Sequence, residues 1–229
     1  MKLLGEHELV WSAVVANNNM NRKRKASGVN SYEKELDFRP ELWLETFIQQ
    51  HGNVRWLDLC CGEGNALTEA AQYLAEKGLQ AKAELMGIDL VHHFADVPQA
   101  LHCIQFKTGS VAGGITGTYD LITCIHGLHY LGDKLAALAA ACAALSGDGL
   151  FVGNFALESI RSEQPEVKAH VKNMLKKAGV TYNGRRHMIE CRGPKQLSFG
   201  LEYLGADDTA GPNYTGQAAV DSWYRLKAD

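Results

Sequence analysis

The stretch WLDLCCGEGNALTEA, residues 56 to 70, decides the fold of this 229-residue chain. An apolar run ends in Asp58, a turn with the spacing Gly62-x-Gly64 follows, and a helical pattern covers residues 66–78. Glycine lets a backbone approach a ligand closely, and the first turn of a helix offers unpaired N–H groups to an anionic group. The stretch therefore predicts a strand, a ligand-binding turn and a helix.

Apolar runs and helical patterns alternate from about residue 40 to residue 180, which predicts an α/β fold. Strands that alternate with helices form a doubly wound, mostly parallel sheet with helices on both faces. Two late strand-like runs, 187–191 and 195–204, have no helix between them, so we expect them to pair antiparallel. The earlier strands are expected at residues 54–60, 83–90, 101–107, 119–125 and 149–155, and the helices at 40–52, 66–78, 133–145 and 163–178.

Composition narrows the class of protein. With 46% hydrophobic and 21% charged residues, the chain is typical of folded globular proteins. Its net charge of -3 gives no bulk attraction to nucleic acid. The six cysteines mostly lie in apolar runs, which indicates reduced thiols, and the opening residues lack both a signal-peptide pattern and a membrane-spanning run. We therefore expect a cytoplasmic protein that does not enter a membrane.

A second acidic residue follows at the end of the next strand. Asp89 lies 25 residues after Gly64, where a carboxylate can accept hydrogen bonds from both hydroxyls of a bound ribose. Together with the glycine turn, this arrangement resembles the class I S-adenosylmethionine (SAM)-dependent methyltransferases over about residues 54–204. LDLCCGEG resembles the glycine-rich first motif of that family, with Cys60 in place of one glycine.

The resemblance implies a Rossmann-like methyltransferase fold, a seven-stranded sheet that ends in an antiparallel pair. It also implies SAM as the cofactor and S-adenosylhomocysteine (SAH) as the product. In such a site the turn holds the methionyl part of SAM, the second strand holds the ribose, and the end of the third strand flanks the adenine. The implied cofactor-binding residues are Asp58, Cys60, Gly62, Gly64, Asn65, Asp89, Leu90, Ser110, Val111 and Cys124.

An NAD-dependent dehydrogenase is the main competing interpretation of a glycine-rich turn followed by an acid. Its fingerprint, GxGxxG, would require a third glycine where this chain has Leu67. The acidic Asp58, four residues before the first glycine of the turn, also fits the methyltransferases better. We therefore expect SAM and not NAD.

The segment YDLITCIHGLHYLGD, residues 119–133, resembles the fourth-strand motif of the same family. His126 and His129 follow the strand, where ligands bind in open α/β sheets. Histidine titrates near neutral pH, so either residue is a candidate catalytic base or acceptor-positioning group. Simple packing, and methyl transfer by alignment without a base, remain alternatives. Histidines 92, 93, 126 and 129 lack firm ligand spacing, so we predict no metal.

Two polar segments flank the core. Residues 17–31 contain four consecutive cations and are interpreted as a lid over the site, as a solvated loop, or as a nucleic-acid contact. Residues 205–217 form a second expected loop, which either faces the acceptor or only caps the end of the chain. Arg22, Tyr32 and Tyr214 are the candidate acceptor-side residues in or beside these segments. We predict one domain over 1–229, with a cover segment 1–39, a core 40–204 and a C-terminal loop and tail 205–229.

The predicted function is methyl transfer from SAM to an oxygen or nitrogen nucleophile of a small molecule, as in natural-product tailoring. A nucleic-acid substrate is disfavoured, because the chain shows no added recognition domain, no broad basic surface and no (N/D)PP(Y/W) sequence after the fourth strand. Two alternatives stay open: a SAM-binding regulator or cyclase that transfers no methyl group, and an RNA or protein methyltransferase. The sequence also leaves open whether the protein forms a homodimer.

Overall fold

A seven-stranded sheet forms the centre of the computed structural model, which describes residues 2–16 and 22–227. In chain order the strands are β1 Val54–Leu59, β2 Ala83–Asp89, β3 Ile104–Thr108, β4 Tyr119–Cys124, β5 Leu145–Asn154, β6 Ile160–Arg161, β7 Thr181–Asn183, β8 Met188–Arg192, β9 Leu201–Asp207 and β10 Asp221–Leu226. The central sheet has the order β3-β2-β1-β4-β5-β8-β7, in which β1 to β5 are parallel and β8 is antiparallel to both neighbours. The predicted doubly wound, seven-stranded fold is confirmed.

Helices cover both faces of this sheet because its strands are apolar on both sides. In β1, Trp56 belongs to one buried cluster and Leu57 to the other. Helices α4 and α5 pack on the Trp56 side, whereas α6 and α7 pack on the Leu57 side. The helices are α1 Glu6–Leu9, α2 Ala13–Ala16, α3 Tyr32–Leu36, α4 Pro40–His51, α5 Asn65–Glu76, α6 Lys134–Ala143 and α7 Val167–Lys177. In the part of the chain that the structure describes, no helix is long and apolar enough to cross a membrane.

The last strand pair differs from the prediction. The seventh strand of the sheet is β7, a three-residue strand paired with β8, and not the run 195–204. After β8 the chain passes Gly193, at φ 64°, and Pro194, which has no N–H for a ladder hydrogen bond. The chain therefore leaves the sheet, and β9 joins a separate three-stranded sheet in the order β6-β10-β9.

The segment 205–229, expected to be loop and tail, contains the strand β10. Its buried residues include Asp221 and Ser222, so the strand lacks the apolar pattern that would identify it. Ser222 accepts a hydrogen bond of 2.8 Å from the buried Lys134 amine, and the Tyr224 hydroxyl donates to Asp133 at 2.9 Å. Polar contacts thus hold β10 against the start of α6.

Gly64 shows why the turn after β1 needs glycine. It lies in the left-handed region at φ 76°, and a Cβ added there would lie 2.1 Å from Cζ of Phe106. Phe106 therefore packs directly on the start of α5, and a larger residue at position 64 would displace it.

We predict that Gly64→Ala costs about 2–4 kcal/mol of stability, because it combines a left-handed alanine with overpacking against Phe106. Gly78→Ala is the matched control, since Gly78 has φ 69° and nothing lies within 4 Å of an added Cβ. That variant should lose only the conformational part, about 1–2 kcal/mol. Urea unfolding of both variants measures the difference, and equal losses would contradict the packing role of Gly64.

Candidate functional site

A groove opens at the carboxyl ends of β1, β2 and β4. It consists of a cavity of about 520 Å³ and a neighbouring cavity of about 340 Å³ that share five lining residues, Cys60, Asp89, Leu90, Tyr130 and Leu131. Gly62 and His126 line the first cavity, while Ser110 and Val111 line the second. We call the two cavities together the cofactor groove.

The turn after β1 forms the floor of this groove. Cys60, which stands where the resembling motif has glycine, adopts φ 57°, a conformation that non-glycine residues rarely enter. The N–H of Gly62 donates to Asp89 Oδ2 at 2.8 Å, and the N–H of Val91 donates to Asp89 Oδ1 at 3.1 Å. Each carboxylate oxygen of Asp89 therefore keeps acceptor capacity for a ligand hydroxyl. Burial raises the pKa of Asp89 above its usual value.

Asp58 lies beneath the turn and not in the groove. Its carboxylate is fully buried and accepts hydrogen bonds from the Tyr32 hydroxyl at 2.7 Å and from the Thr123 hydroxyl at 2.5 Å. Burial raises the pKa of Asp58 to about 7. Neither Asp58 nor Tyr32 lines a cavity of the site, because their side chains pair with each other below it. This placement differs from the predicted contacts of Asp58 with the cofactor and of Tyr32 with the acceptor.

Three other predicted cofactor residues also lie outside the groove. Gly64 faces Phe106, and Asn65 donates to the Glu63 carboxylate at 3.3 Å. Cys124 is buried under Gly127, where an added Cβ would lie 2.8 Å from its sulfur. These residues shape the turn from below and behind. The predicted residues that line the groove are Cys60, Gly62, Asp89, Leu90, Ser110 and Val111.

His126 is held in place by two polar side chains. It follows β4 in the left-handed conformation at φ 59°, is 4% exposed, and donates its backbone N–H to Asn154 at 3.0 Å. Its ring Nε2 lies 3.0 Å from Oε1 of Glu35. Strain of this kind persists only where surrounding contacts enforce it. Here Asn154 and Glu35 provide those contacts.

Glu35 defines which ring nitrogen of His126 carries a proton. Its hydrogen bond with His126 lowers the pKa of Glu35 to about 2, and Asn154 donates to its other oxygen at 3.1 Å. A carboxylate that is ionised at neutral pH only accepts, so Nε2 of His126 must donate to it. In neutral His126 the lone pair then sits on Nδ1, which has no hydrogen-bond partner among the described residues.

His129 lies beside His126, with ring centroids 5.5 Å apart. It is 1% exposed, and burial lowers its pKa to about 3, so it is neutral at physiological pH. It lines a separate cavity of about 880 Å³, together with Tyr214 and His187. The Tyr214 ring stacks on His187 at 3.9 Å and stands at 78° to His129. We call this space the His129 cavity.

Two described residues of the N-terminal segment lie beside the cofactor groove. Val15 and Arg22 line the groove, and the carbonyl oxygen of Arg22 accepts the Glu63 N–H at 2.9 Å. An added Cβ at Gly62 would lie 2.5 Å from Cα of Arg22, so the glycine permits this close approach. Residues 17–21 of the predicted lid lie outside the described residues.

Sequence reasoning missed Glu35, Asn154 and His187. Glu35 lies in YEKEL, a short charged helix without a motif, and it meets His126 across 91 positions. No local pattern signals that contact. Within residues 2–16 and 22–227, no group of three or more His, Cys, Asp or Glu side chains is arranged to hold a metal ion.

Comparisons with known proteins place this geometry in context. A family model described as a methyltransferase domain matches residues 21–188. No curated protein matches the chain. Similar solved structures include a SAM-dependent methyltransferase from Aquifex aeolicus, at 16% identity over 72% of this chain and 96% of that one, with a TM-score of 0.41.

Two further solved structures show a similarly low sequence identity to this chain. A plantazolicin methyltransferase in complex with SAH shows 16% identity over 58% of this chain and 49% of its own, with a TM-score of 0.36. The methyltransferase domain of a citrinin polyketide synthase shows 15% identity over 68% of this chain and 52% of its own, with a TM-score of 0.45. The chain thus spans about half the length of these two proteins. Likenesses this distant say nothing about substrate or mechanism.

The Tyr32–Asp58 hydrogen bond predicts a pH-dependent cost for Tyr32→Phe. A hydroxyl that donates to an ionised carboxylate contributes about 1.5–3 kcal/mol, and one that bonds a neutral acid about 0.5–1.5 kcal/mol. Because burial raises the pKa of Asp58 to about 7, the loss should grow as the pH rises from 5.5 to 8.5.

Chemical unfolding across this pH range measures the loss. Tyr182→Phe is the control, since the Tyr182 hydroxyl accepts from the Leu157 N–H at 3.4 Å and is not the donor to a buried carboxylate. Its cost should stay constant with pH. A Tyr32→Phe cost that did not change with pH would show that Asp58 keeps one charge state throughout.

Proposed function

The chain belongs to the methyltransferase-domain family, and from this premise we propose that it transfers the methyl group of SAM to an oxygen or nitrogen nucleophile of a small molecule. Family membership agrees with the resemblance of the glycine-rich turn. When bound, SAM supplies an electrophilic methyl group on a sulfonium, and SAH is the product. The residues of the chain bind SAM, orient the acceptor and remove its proton.

The lining of the cofactor groove fits the chemistry of SAM. Asp89 has acceptor capacity for the two ribose hydroxyls, and the left-handed turn at Cys60 and Gly62 leaves backbone atoms beside the groove for the methionyl part. Leu90 and Val111 offer apolar walls for the adenine, next to Ser110. Asp58 and Tyr32 support the turn from below, so their part in cofactor binding is indirect.

One observation carries the proposal for catalysis: His126 stands on the wall of the cofactor groove with Nε2 on Glu35 and Nδ1 unpartnered. As a lone pair of the acceptor forms its bond to the methyl carbon, the bond from that carbon to sulfur breaks. The acceptor proton moves to Nδ1 of His126, and the Glu35 carboxylate stabilises the resulting imidazolium. Glu35 is thus a positioning residue, and His126 is the base.

His129 has a different part in this proposal. With its pKa lowered to about 3 by burial, it is a weak proton acceptor at neutral pH. Its ring lines the His129 cavity, next to Tyr214. We therefore assign His129 and Tyr214 to acceptor binding and not to proton transfer.

The cofactor assignment predicts that Asp89→Ala weakens SAH binding by roughly 1–3 kcal/mol, because two ribose hydroxyls lose a charged acceptor. Asp96→Ala is the control, since Asp96 is exposed and lines neither part of the groove. Calorimetric titration with SAM, SAH and NAD measures the affinities. Micromolar binding of the two adenosyl compounds without NAD supports the proposal, whereas binding of NAD alone would refute it.

The Glu35–His126 contact predicts the tautomer of His126. In the neutral ring, Nε2 should carry the proton and Nδ1 the lone pair, which long-range proton–nitrogen NMR spectra of labelled protein distinguish. A His126→Asn variant assigns the signal, and Glu35→Ala should give a mixture of tautomers because the acceptor is gone. Glu33→Ala, on the same helix, is the control and should leave the signal unchanged. A proton on Nδ1 in the unmodified protein would rule out the proposed base.

A further inference from the structure

We propose that the His129 cavity binds the methyl acceptor, and that this acceptor is a neutral, planar aromatic or heteroaromatic molecule with a hydroxyl or ring N–H as nucleophile. The inference rests on the proposed function and names its substrate class. Four features of the cavity carry it: its position, its aromatic side chains, its unpartnered polar atoms and its charge.

The cavity lies beside the proposed base. It is lined by the loop after β4, the β6–β10 edge of the small sheet and the loop 210–214, and it is open to solvent. His129 lines it, and the His126 ring, 5.5 Å away, lines the cofactor groove. The two rings form the boundary between the cavities, so an acceptor in the His129 cavity has to extend its nucleophile past them to reach the methyl group of SAM.

Aromatic side chains give the cavity flat walls. Tyr214 and His187 stack with an interplanar angle of 10°, and the His129 ring stands at 78° to Tyr214. Aromatic rings favour offset-stacked and edge-to-face neighbours. Beside rings that stand nearly perpendicular to each other, a flat aromatic ligand can stack on one ring and meet another edge to face. A flexible aliphatic chain cannot do both.

Two polar groups in the cavity wall lack partners. Nε2 of His129 is buried without a hydrogen bond, and the whole residue is only 1% exposed. Nδ2 of Asn213 is also buried and unpartnered. Its amide orientation is fixed, because Oδ1 accepts from the backbone N–H and the hydroxyl of Thr215 at 2.8 and 2.6 Å. Asn213 must therefore donate, which calls for a carbonyl or ring-nitrogen acceptor on the ligand.

The charge of the cavity disfavours an anionic acceptor. Its charged lining residues are Glu158, Arg161 and Asp221, so two carboxylates stand against one guanidinium. Nε of Arg161 lies 2.5 Å from Oδ2 of Asp221, which engages the cation within the protein. Recognition of a carboxylate or phosphate depends on available cationic donors. A neutral ligand fits this lining better.

Binding of 7-hydroxycoumarin to the SAH-saturated protein at pH 6.5 tests the inference, with 6-hydroxyquinoline as a second neutral probe. The anionic counterpart is 7-hydroxycoumarin-3-carboxylate, which differs from the first probe by its carboxylate. Fluorescence titration should show that at least one neutral probe binds and that the carboxylate binds at least tenfold more weakly. Tyr214→Ala should weaken the neutral probe at least tenfold without changing SAH affinity, while the control Tyr73→Ala changes neither.

Several results would overturn the inference. They are failure of both neutral probes to bind, equal or tighter binding of the carboxylate, and binding that Tyr214→Ala leaves unchanged. Failure of SAH itself to bind would instead refute the proposed function, so the two failures are distinguishable. A probe that binds should gain a labelled methyl group from SAM, and His126→Asn should abolish that transfer while the probe still binds.

Discussion

The arrangement of the site depends on the hydrogen bond between Glu35 and His126. It connects helix α3 to the end of β4 and fixes the ring of the proposed base. Helix α3 makes a second buried contact through Tyr32, which bonds Asp58 at the end of β1. Tyr32 and Glu35 are three positions apart, so they lie on the same face of the helix. One short helix therefore contacts both strand ends that frame the site.

Several energetically unfavourable features lie near this contact. Cys60 and His126 hold left-handed backbone conformations, and a ring nitrogen of His129 is buried without a partner. Strained backbone conformations and unpaired buried groups tend to cluster at functional sites. Here they surround the boundary between the cofactor groove and the His129 cavity. Such features also occur away from the site, since Asp37 has φ 61° and the buried Tyr203 hydroxyl has no partner among the described residues.

The sequence predicted the central sheet because strands buried on both faces are continuous apolar runs. It missed β7, which has three residues, and β10, whose buried positions include Asp221 and Ser222. For the site, the turn and Asp89 were predictable from their spacing. The burial of Asp58 under Tyr32 and the approach of Glu35 to His126 depend on tertiary packing of a charged, motif-free helix. Such contacts leave no periodic signal in one sequence.

A crystal structure of the protein with SAH tests the central claim most directly. The account predicts SAH in the cofactor groove, with its ribose hydroxyls on Asp89 and its sulfur facing the boundary between His126 and the His129 cavity. SAH bound outside this groove, or with its sulfur turned away from His126, would contradict the proposed arrangement of cofactor, base and acceptor.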